Sequence, residues 1–306
     1  MEVFKFEVLI LILFETRADE WGYHDGIRGP SNWGGLCNSG TRQSPININV
    51  DNSGTTIDLM LGEFNFTNYN TSNKYFIVKN EGHTIKVEMN SNDVTISGGG
   101  LADADYTLVQ FHFHWGLTSA AGSEHTLNGL GSPLEVHFVH FNNAYGNISH
   151  AVSQPNGLAV LGFMFNVQSS DNTAIDFLLD ALVAVTNKGQ THNLSSSPPI
   201  DTILGNVDRR KYLRYHGSLT TPKCYESVQW TLFTDTVPIS EAQLNKMRAM
   251  KSDTTGTTSI GFNYRPVQRV YGRKISISYD PGVSAATLVY QNIATCVISI
   301  SFIIFM

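Results

Sequence analysis

The sequence predicts an α+β, sheet-dominated fold: a single domain on a large central, twisted, mostly antiparallel β-sheet with short peripheral helices. Three observations point there. Short segments of alternating apolar and polar residues dominate the middle of the chain. Several connections between them are too short for the crossovers that parallel strands require. Only two stretches carry helical periodicity.

In chain order the strands are KYFIVKN (74–80), TIKVEMN (84–90), DVTISGG (93–99), TLVQFHFHW (107–115), LEVHFVHFN (134–142) and LAVLGFMF (158–165). They are rich in β-branched and aromatic residues and separated by Gly, Asn and Pro turns. The first helix is NTAIDFLLDALVAVTNKG (172–189), with apolar residues at helical spacing and Gly189 at its end. The second is SEAQLNKMRAMKS (240–252), capped by Ser240. There is no internal repeat, linker or low-complexity block, so one domain is expected over 19–283.

Of the 306 residues, 42% are hydrophobic and 15% charged, enough apolar material for a sizeable core and too little charge for a disordered chain. The net charge of -6 argues against a nucleic-acid partner.

Both ends read as addressing. Residues 1–18 contain an apolar run at 8–14 followed by small and polar residues, the pattern of a secretory signal peptide; a signal anchor and a buried segment are the alternatives. At the other end an uncharged apolar run covers 293–306, too short for an ordinary membrane helix. Small residues at Ser284, Ala285 and Ala286 and a mostly polar spacer precede it, so 284–306 reads as a glycolipid-anchor signal with Ser284 as the attachment site. A retained membrane helix and a buried strand remain open. Of three cysteines, Cys296 lies in this tail and Cys37 and Cys224 form an even pair suited to an oxidising compartment. Glycosylation sequons at Asn65, Asn70, Asn147 and Asn193 favour the same compartment, either the outer face of the plasma membrane or the secreted medium.

The chemistry gathers around QFHFHWG (110–116). In a strand, His112 and His114 share one face while Phe111, Phe113 and Trp115 take the other. If LEVHFVHFN pairs with this strand, His137 converges with them, and three neutral imidazoles with an open position are the ligand set of catalytic zinc. Ordinary hydrogen bonding is the competing reading of the same pattern. Gln110 and Glu135 each stand two residues before a histidine on that face, where acceptors for metal-bound imidazoles belong. Downstream, GSEHT supplies Glu124 and His125, and YHGSLTTPKC supplies Thr220 and Thr221.

The runs QFHFHWG, GSEHT, EVHFVHFN, NGLAVLGFMF and GSLTTP, with WGYHDG and RQSPININ before them and NYRPVQ after, resemble the alpha-class carbonic anhydrases of the exported type. The likeness runs in order from about Trp21 to Gln268. It implies the alpha carbonic anhydrase fold and a zinc-dependent lyase that hydrates carbon dioxide reversibly to bicarbonate and a proton, by zinc-hydroxide attack. By the same resemblance His112, His114 and His137 would hold the zinc. Thr220 would take a hydrogen bond from the hydroxide while donating to Glu124, and Thr221 would help place bicarbonate. Val139, Val160, Leu219 and Trp230, with Val228 nearby, would line the apolar carbon dioxide site. His83 would shuttle the proton, although Glu81 and Lys86 depart from the amide and smaller polar group common beside it. Gln110, Glu135 and the backbone carbonyl of Asn263 would orient the three zinc ligands, and Tyr23 and Tyr215 would join the polar network.

His125 and His140 read as structural, and His24, His150, His192 and His216 as exposed. The resemblance also places Cys37 and Cys224 where exported members carry a disulfide. A monomer or weak dimer is expected, with carbon dioxide and bicarbonate as the small-molecule partners and the membrane reached through the lipid anchor. A zinc-less binding module and a matrix protein on the same fold are the competing classes. The retained histidines, Glu124 and Thr220 speak against the first, and the lack of an acidic repeat against the second.

Overall fold

The computed structural model describes residues 21–281 apart from 25, 51–53, 73, 102–103 and 195–196. The expected signal segment, Ser284 and the apolar tail lie outside the described residues. Among the described residues no helix is long and apolar enough to cross a membrane.

The strands in chain order are β1 (Asn47–Ile48), β2 (Thr56–Ile57), β3 (Phe64–Thr67), β4 (Phe76–Asn80), β5 (Ile85–Met89), β6 (Thr95–Gly98), β7 (Tyr106–Trp115) and β8 (Thr126–Leu127). They continue with β9 (Leu134–Asn142), β10 (Leu158–Gln168), β11 (Thr191–Leu194), β12 (Tyr212–Gly217), β13 (Val228–Phe233), β14 (Val237–Ser240) and β15 (Ser276–Ile277). Thirteen of them form one sheet, whose main path runs β11-β4-β5-β7-β9-β10-β13-β12-β15-β2. The centre of the path, β4-β5-β7-β9-β10, is antiparallel throughout, as the short connection requires for the β4–β5 pair. Parallel pairing enters where longer excursions return, at β10 with β13 and at β15 with β2.

β7 and β9 are long because their aromatic and β-branched residues fit a pleated surface buried on both sides. All nine residues of β9 are buried. One face of the sheet packs Phe111, Phe113, Trp115, Val136 and Phe138 into the main core with the helices, while Val139, Val160, Val228 and Trp230 belong to a separate apolar cluster. Alternation therefore sends one set of side chains to the core and leaves the other to build a site.

The helices are short and peripheral, as expected, but the first one is broken. Where one helix over 172–189 was predicted, the chain forms a 3₁₀ turn at Thr173–Ile175, an α-helix at Asp176–Ala181 and a second 3₁₀ turn at Leu182–Val185. The second half carries Val183, Val185 and Thr186, whose branched Cβ atoms crowd a continuing α-helix. The second helix, Glu241–Arg248, starts as predicted, with Ser240 and Gln243 forming a reciprocal capping box.

Candidate metal centre

Register across the sheet builds the site as rows. Lys86 (β5), His112 (β7), His137 (β9) and Gly162 (β10) stand opposite one another, so two of the three histidines are direct cross-strand partners. The next row on the same face is Gln110, Val139, Val160, Trp230 and Tyr215. On the other side, His114 faces Glu135. Two-residue alternation thus places polar ligands and an apolar wall side by side.

The ring nitrogens of His112, His114 and His137 facing the centre lie within 4.8 Å of one another. Their outer nitrogens are taken: His112 Nδ1 meets Gln110 Oε1 at 2.9 Å, His114 Nδ1 the Asn263 carbonyl at 2.8 Å, and His137 Nε2 Glu135 Oε1 at 2.6 Å. A backbone carbonyl and a carboxylate can only accept, so His114 Nδ1 and His137 Nε2 must carry the protons. The inner atoms, His114 Nε2 and His137 Nδ1, are then bare lone pairs pointed at each other across 3.1 Å. Converging buried lone pairs are unfavourable without a donor or a cation between them. Burial also holds all three imidazoles neutral: His114 is pushed down to about 4, His112 well below its ordinary value, and His137 down despite the opposing pull of Glu135. Three neutral nitrogens with fixed tautomers fit a zinc ion.

A second group, His125, Glu135 and His137, also lies close together. It does not offer a second centre, because His125 engages Glu135 Oε1 at 2.8 Å through one nitrogen and the Tyr215 hydroxyl at 2.6 Å through the other. Burial alone would raise Glu135, but His125 and His137 on either side hold it well below the usual carboxylate range. It acts as an ionised clamp. Space for this clamp depends on Gly162, where a Cβ would sit 2.5 Å from Leu232 Cδ2 and 3.3 Å from Glu135 Oε1.

Glu124 is fully buried beside the histidines, with Oε2 3.5 Å from His114 Nε2 and 3.9 Å from His137 Nδ1. Its Oε1 accepts the Arg265 backbone N–H at 2.9 Å. The Thr220 hydroxyl approaches closely enough to favour the ionised carboxylate, yet Oε2 has no partner in regular hydrogen-bond geometry. Burial pushes Glu124 up to about 7, against the opposing pull of His137, Thr220 and Arg265. An orphaned carboxylate oxygen next to two bare imidazole nitrogens suits a centre that takes a positive charge.

The remaining predicted residues fall around this point. Val139, Val160 and Trp230 are buried in one row, half-buried Leu219 packs against the same cluster, and the Trp230 ring lies 4.7 Å from His137. Trp230 Nε1 donates to the Ser218 carbonyl at 3.0 Å, which fixes the segment leading to Leu219, Thr220 and Thr221. Thr220 is buried and Thr221 half-buried. Tyr23 meets His114 edge-on at 6.4 Å, and Tyr215 bonds Ser44 Oγ at 2.8 Å.

His83 sits in the turn between β4 and β5, its ring 4.3 Å from that of Trp21. It is half-buried, and this burial pushes it down to about 4; Glu81 pulls upward while Lys188, Lys86 and His114 push further down. Asn263 ties the turn to the centre: its side-chain amide donates to the His83 carbonyl at 2.9 Å while its own carbonyl holds His114. Glu81 and Lys86 form an ion pair that also takes in Glu88. Of the histidines read as exposed, His24, His150 and His216 are so, but His192 is half-buried, because β11 pairs with β4 and covers it. His140 is buried and bonded to Tyr69 Oη and the Ala159 carbonyl, a core role.

Cys37 and Cys224 form a disulfide. Sequence reasoning missed what surrounds it. Arg265 donates to Gln43 Oε1 at 2.9 Å, the Ser44 carbonyl at 2.7 Å and the Cys37 carbonyl at 2.8 Å, while Gln43 donates to the Cys224 carbonyl at 3.1 Å. One buried guanidinium therefore links Glu124, through its own backbone, to both ends of the bridge. The signal was a single cation in the otherwise uncharged run GFNYRPVQ.

Three imidazoles converging on the middle strands of a large sheet could hold a metal ion, an arrangement that fits an enzyme of the carbonic anhydrase type. Residues 28–279 match the family model described as eukaryotic-type carbonic anhydrase, and the chain belongs to that family. It is 36% identical to carbonic anhydrase 15 of Mus musculus over 304 residues, covering 93% of each chain. It is also 36% identical to carbonic anhydrase 1 of Mus musculus over 267 residues, 85% of this chain and 98% of the relative.

Proposed function

We propose that this enzyme catalyses the reversible hydration of carbon dioxide to bicarbonate and a proton, with zinc held by His112, His114 and His137 and with His83 carrying the proton. The observation that supports it is the pair of bare nitrogens, His114 Nε2 and His137 Nδ1, fixed as lone-pair donors 3.1 Å apart beside the unpartnered Glu124 Oε2. Bound on three neutral ligands, zinc supplies Lewis-acid chemistry that makes hydroxide available from water near pH 7.

The chain's own residues do the rest. Glu124, once ionised, accepts a hydrogen bond from the Thr220 hydroxyl and so turns the Thr220 lone pair toward the reacting oxygen, selecting one orientation for attack. The row Val139, Val160 and Trp230, with Leu219, offers an apolar seat to a substrate without charge or dipole and excludes competing water. Half-buried Thr221, next to Thr220, helps hold the anionic product. His83 passes the released proton to buffer. Near neutral pH its burial beside Trp21 works against this, pushing the ring down to about 4, so a more exposed ring position favours the shuttle.

The disulfide and the exposure of all four sequon asparagines, Asn65, Asn70, Asn147 and Asn193, support an exported, glycosylated protein. Attachment to a lipid anchor at Ser284 completes that reading. The testing experiment is stopped-flow hydration of carbon dioxide with zinc measured on the same sample, for the wild type and for His112→Ala. Stoichiometric zinc with activity in the first, and loss of both in the second, is expected. Full activity of His112→Ala without zinc overturns the assignment.

A further inference from the structure

Among the described residues the last strand of the sheet path, β2, has no neighbour on its outer side along that path, and it leads straight into an exposed apolar turn. Ile57 is 45% exposed, Leu59 60% and Met60 92%. The turn is a rigid platform rather than a loose loop. Leu61 packs against the main core, Leu61 N–H donates to the Asp58 carbonyl at 3.2 Å, and the Gly62 carbonyl accepts the Tyr212 hydroxyl at 2.8 Å. The nearest charge, Asp58, is neutralised by Lys274 at 3.1 Å. Three contiguous large apolar side chains held outward on a fixed turn are more than the single exposed residues normal on a surface.

The direction of the chain says what covers them. β15 runs parallel to β2, with Ser276 opposite Thr56 and Ile277 opposite Ile57. Past that register Asp58 N–H still bonds the Ile277 carbonyl at 2.9 Å, so the chain leaves β15 at the end of the sheet where β2 turns into Leu59 and Met60. Only two residues separate Pro281 from Ser284, a reach of at most about 10 Å.

We propose that Ile57, Leu59 and Met60 form the surface on which the anchored enzyme rests against a zwitterionic phospholipid bilayer. This rests on the lipid-anchor reading of the tail and adds an orientation to it. A tether that short keeps the patch at high local concentration over the bilayer, so a contact that recruits a free protein only weakly suffices to orient an anchored one. The sheet then stands with its β2 edge toward the membrane. Five strand spacings separate β2 from β9, so the metal centre is held about 24 Å away across the sheet, open to the medium that supplies carbon dioxide and buffer.

The test uses the zinc-loaded full chain, purified with its anchor and reconstituted in phosphatidylcholine vesicles. An environment-sensitive fluorophore is placed on Met60→Cys or, as control, on Val183→Cys, which is 80% exposed in the turn packed against β4 and β11 at the opposite edge of the sheet. Quenching by lipids with spin-labelled acyl chains is expected at position 60 and not at 183. In parallel, phospholipase-released wild type should partition onto the same vesicles about tenfold more than a Leu59→Ser/Met60→Ser variant, the effect of burying part of two apolar side chains. Equal, negligible quenching at both positions overturns the proposal, as does energy transfer between labelled copies at position 60, which would mean a second chain covers the patch. Release by a phosphatidylinositol-specific phospholipase decides the anchor separately: release without quenching leaves the anchor and removes the patch, and quenching without release does the reverse.

Discussion

Glu135 Oε1 accepts a hydrogen bond from His137 Nε2 at 2.6 Å, and the same oxygen lies 2.8 Å from His125 Nδ1. This carboxylate sets the tautomer of a metal ligand and is itself held by a second buried histidine. Replacing it by Glu135→Gln removes the charge while keeping the shape. Zinc affinity should fall by about 10–100-fold, read by competition with a fluorescent chelator. Unchanged affinity would mean that Glu135 only fills space.

Gly162→Ala tests the same clamp from behind. The added methyl would meet Leu232 and Glu135, so β10 must shift or Glu135 must move. A loss of about 1–3 kcal/mol in stability is expected from overpacking, accompanied by weaker zinc retention. A variant that loses stability but keeps wild-type zinc affinity would separate the packing role from the clamp.

Glu124 gives a pH signature in protein stripped of zinc. Its carboxyl is raised from 4.5 to about 7, so the folded state binds a proton that the unfolded state has released. The associated stability is fully present below pH 4.5 and is lost as pH rises through about 7, for a change of about 3 kcal/mol. The three buried histidines act in the opposite sense, losing stability as pH falls below 6.5. Comparing Glu124→Gln with the wild type by denaturant unfolding isolates the first effect. The two stability curves should diverge between pH 4.5 and 7, and parallel curves would contradict the assignment.

His83 should respond to its neighbour Trp21. In Trp21→Ala the ring loses part of the burial that pushes it down to about 4, and its titration by NMR should move up toward 6.5. His83→Ala should slow turnover in dilute buffer and recover in part with added imidazole. Full activity at low buffer would remove His83 from proton transfer.

The disulfide closes a loop of 187 residues between Cys37 and Cys224. Cys37→Ser/Cys224→Ser should lower unfolding stability by about 2–5 kcal/mol. Because Arg265 and Gln43 bond the carbonyls of both cysteines, a further loss of activity at temperatures below unfolding is expected, measured by hydration rate against temperature.

What the sequence determined by itself was periodic and ordered. Two-residue alternation put His112 and His114 on one face and the aromatics on the other, because strand geometry leaves no other choice. The ordered set of motifs carried the fold, the disulfide pair and the family. Alternation could not say which strands pair or in which register, since a shift of one residue sends every side chain to the opposite face. Only the tertiary structure placed His137 across from His112 in register and brought Arg265 to the centre from the far end of the chain, while Asn263 was reachable only through the family resemblance. Burial was equally out of reach. His83 and Glu124 are ordinary titrating residues in the sequence, and the low dielectric around each moves them to about 4 and about 7. The helix over 172–189 broke because branched side chains favour tighter or extended backbone once packing no longer requires a continuous α-helix. Local physics named the ligands; long-range packing made them converge.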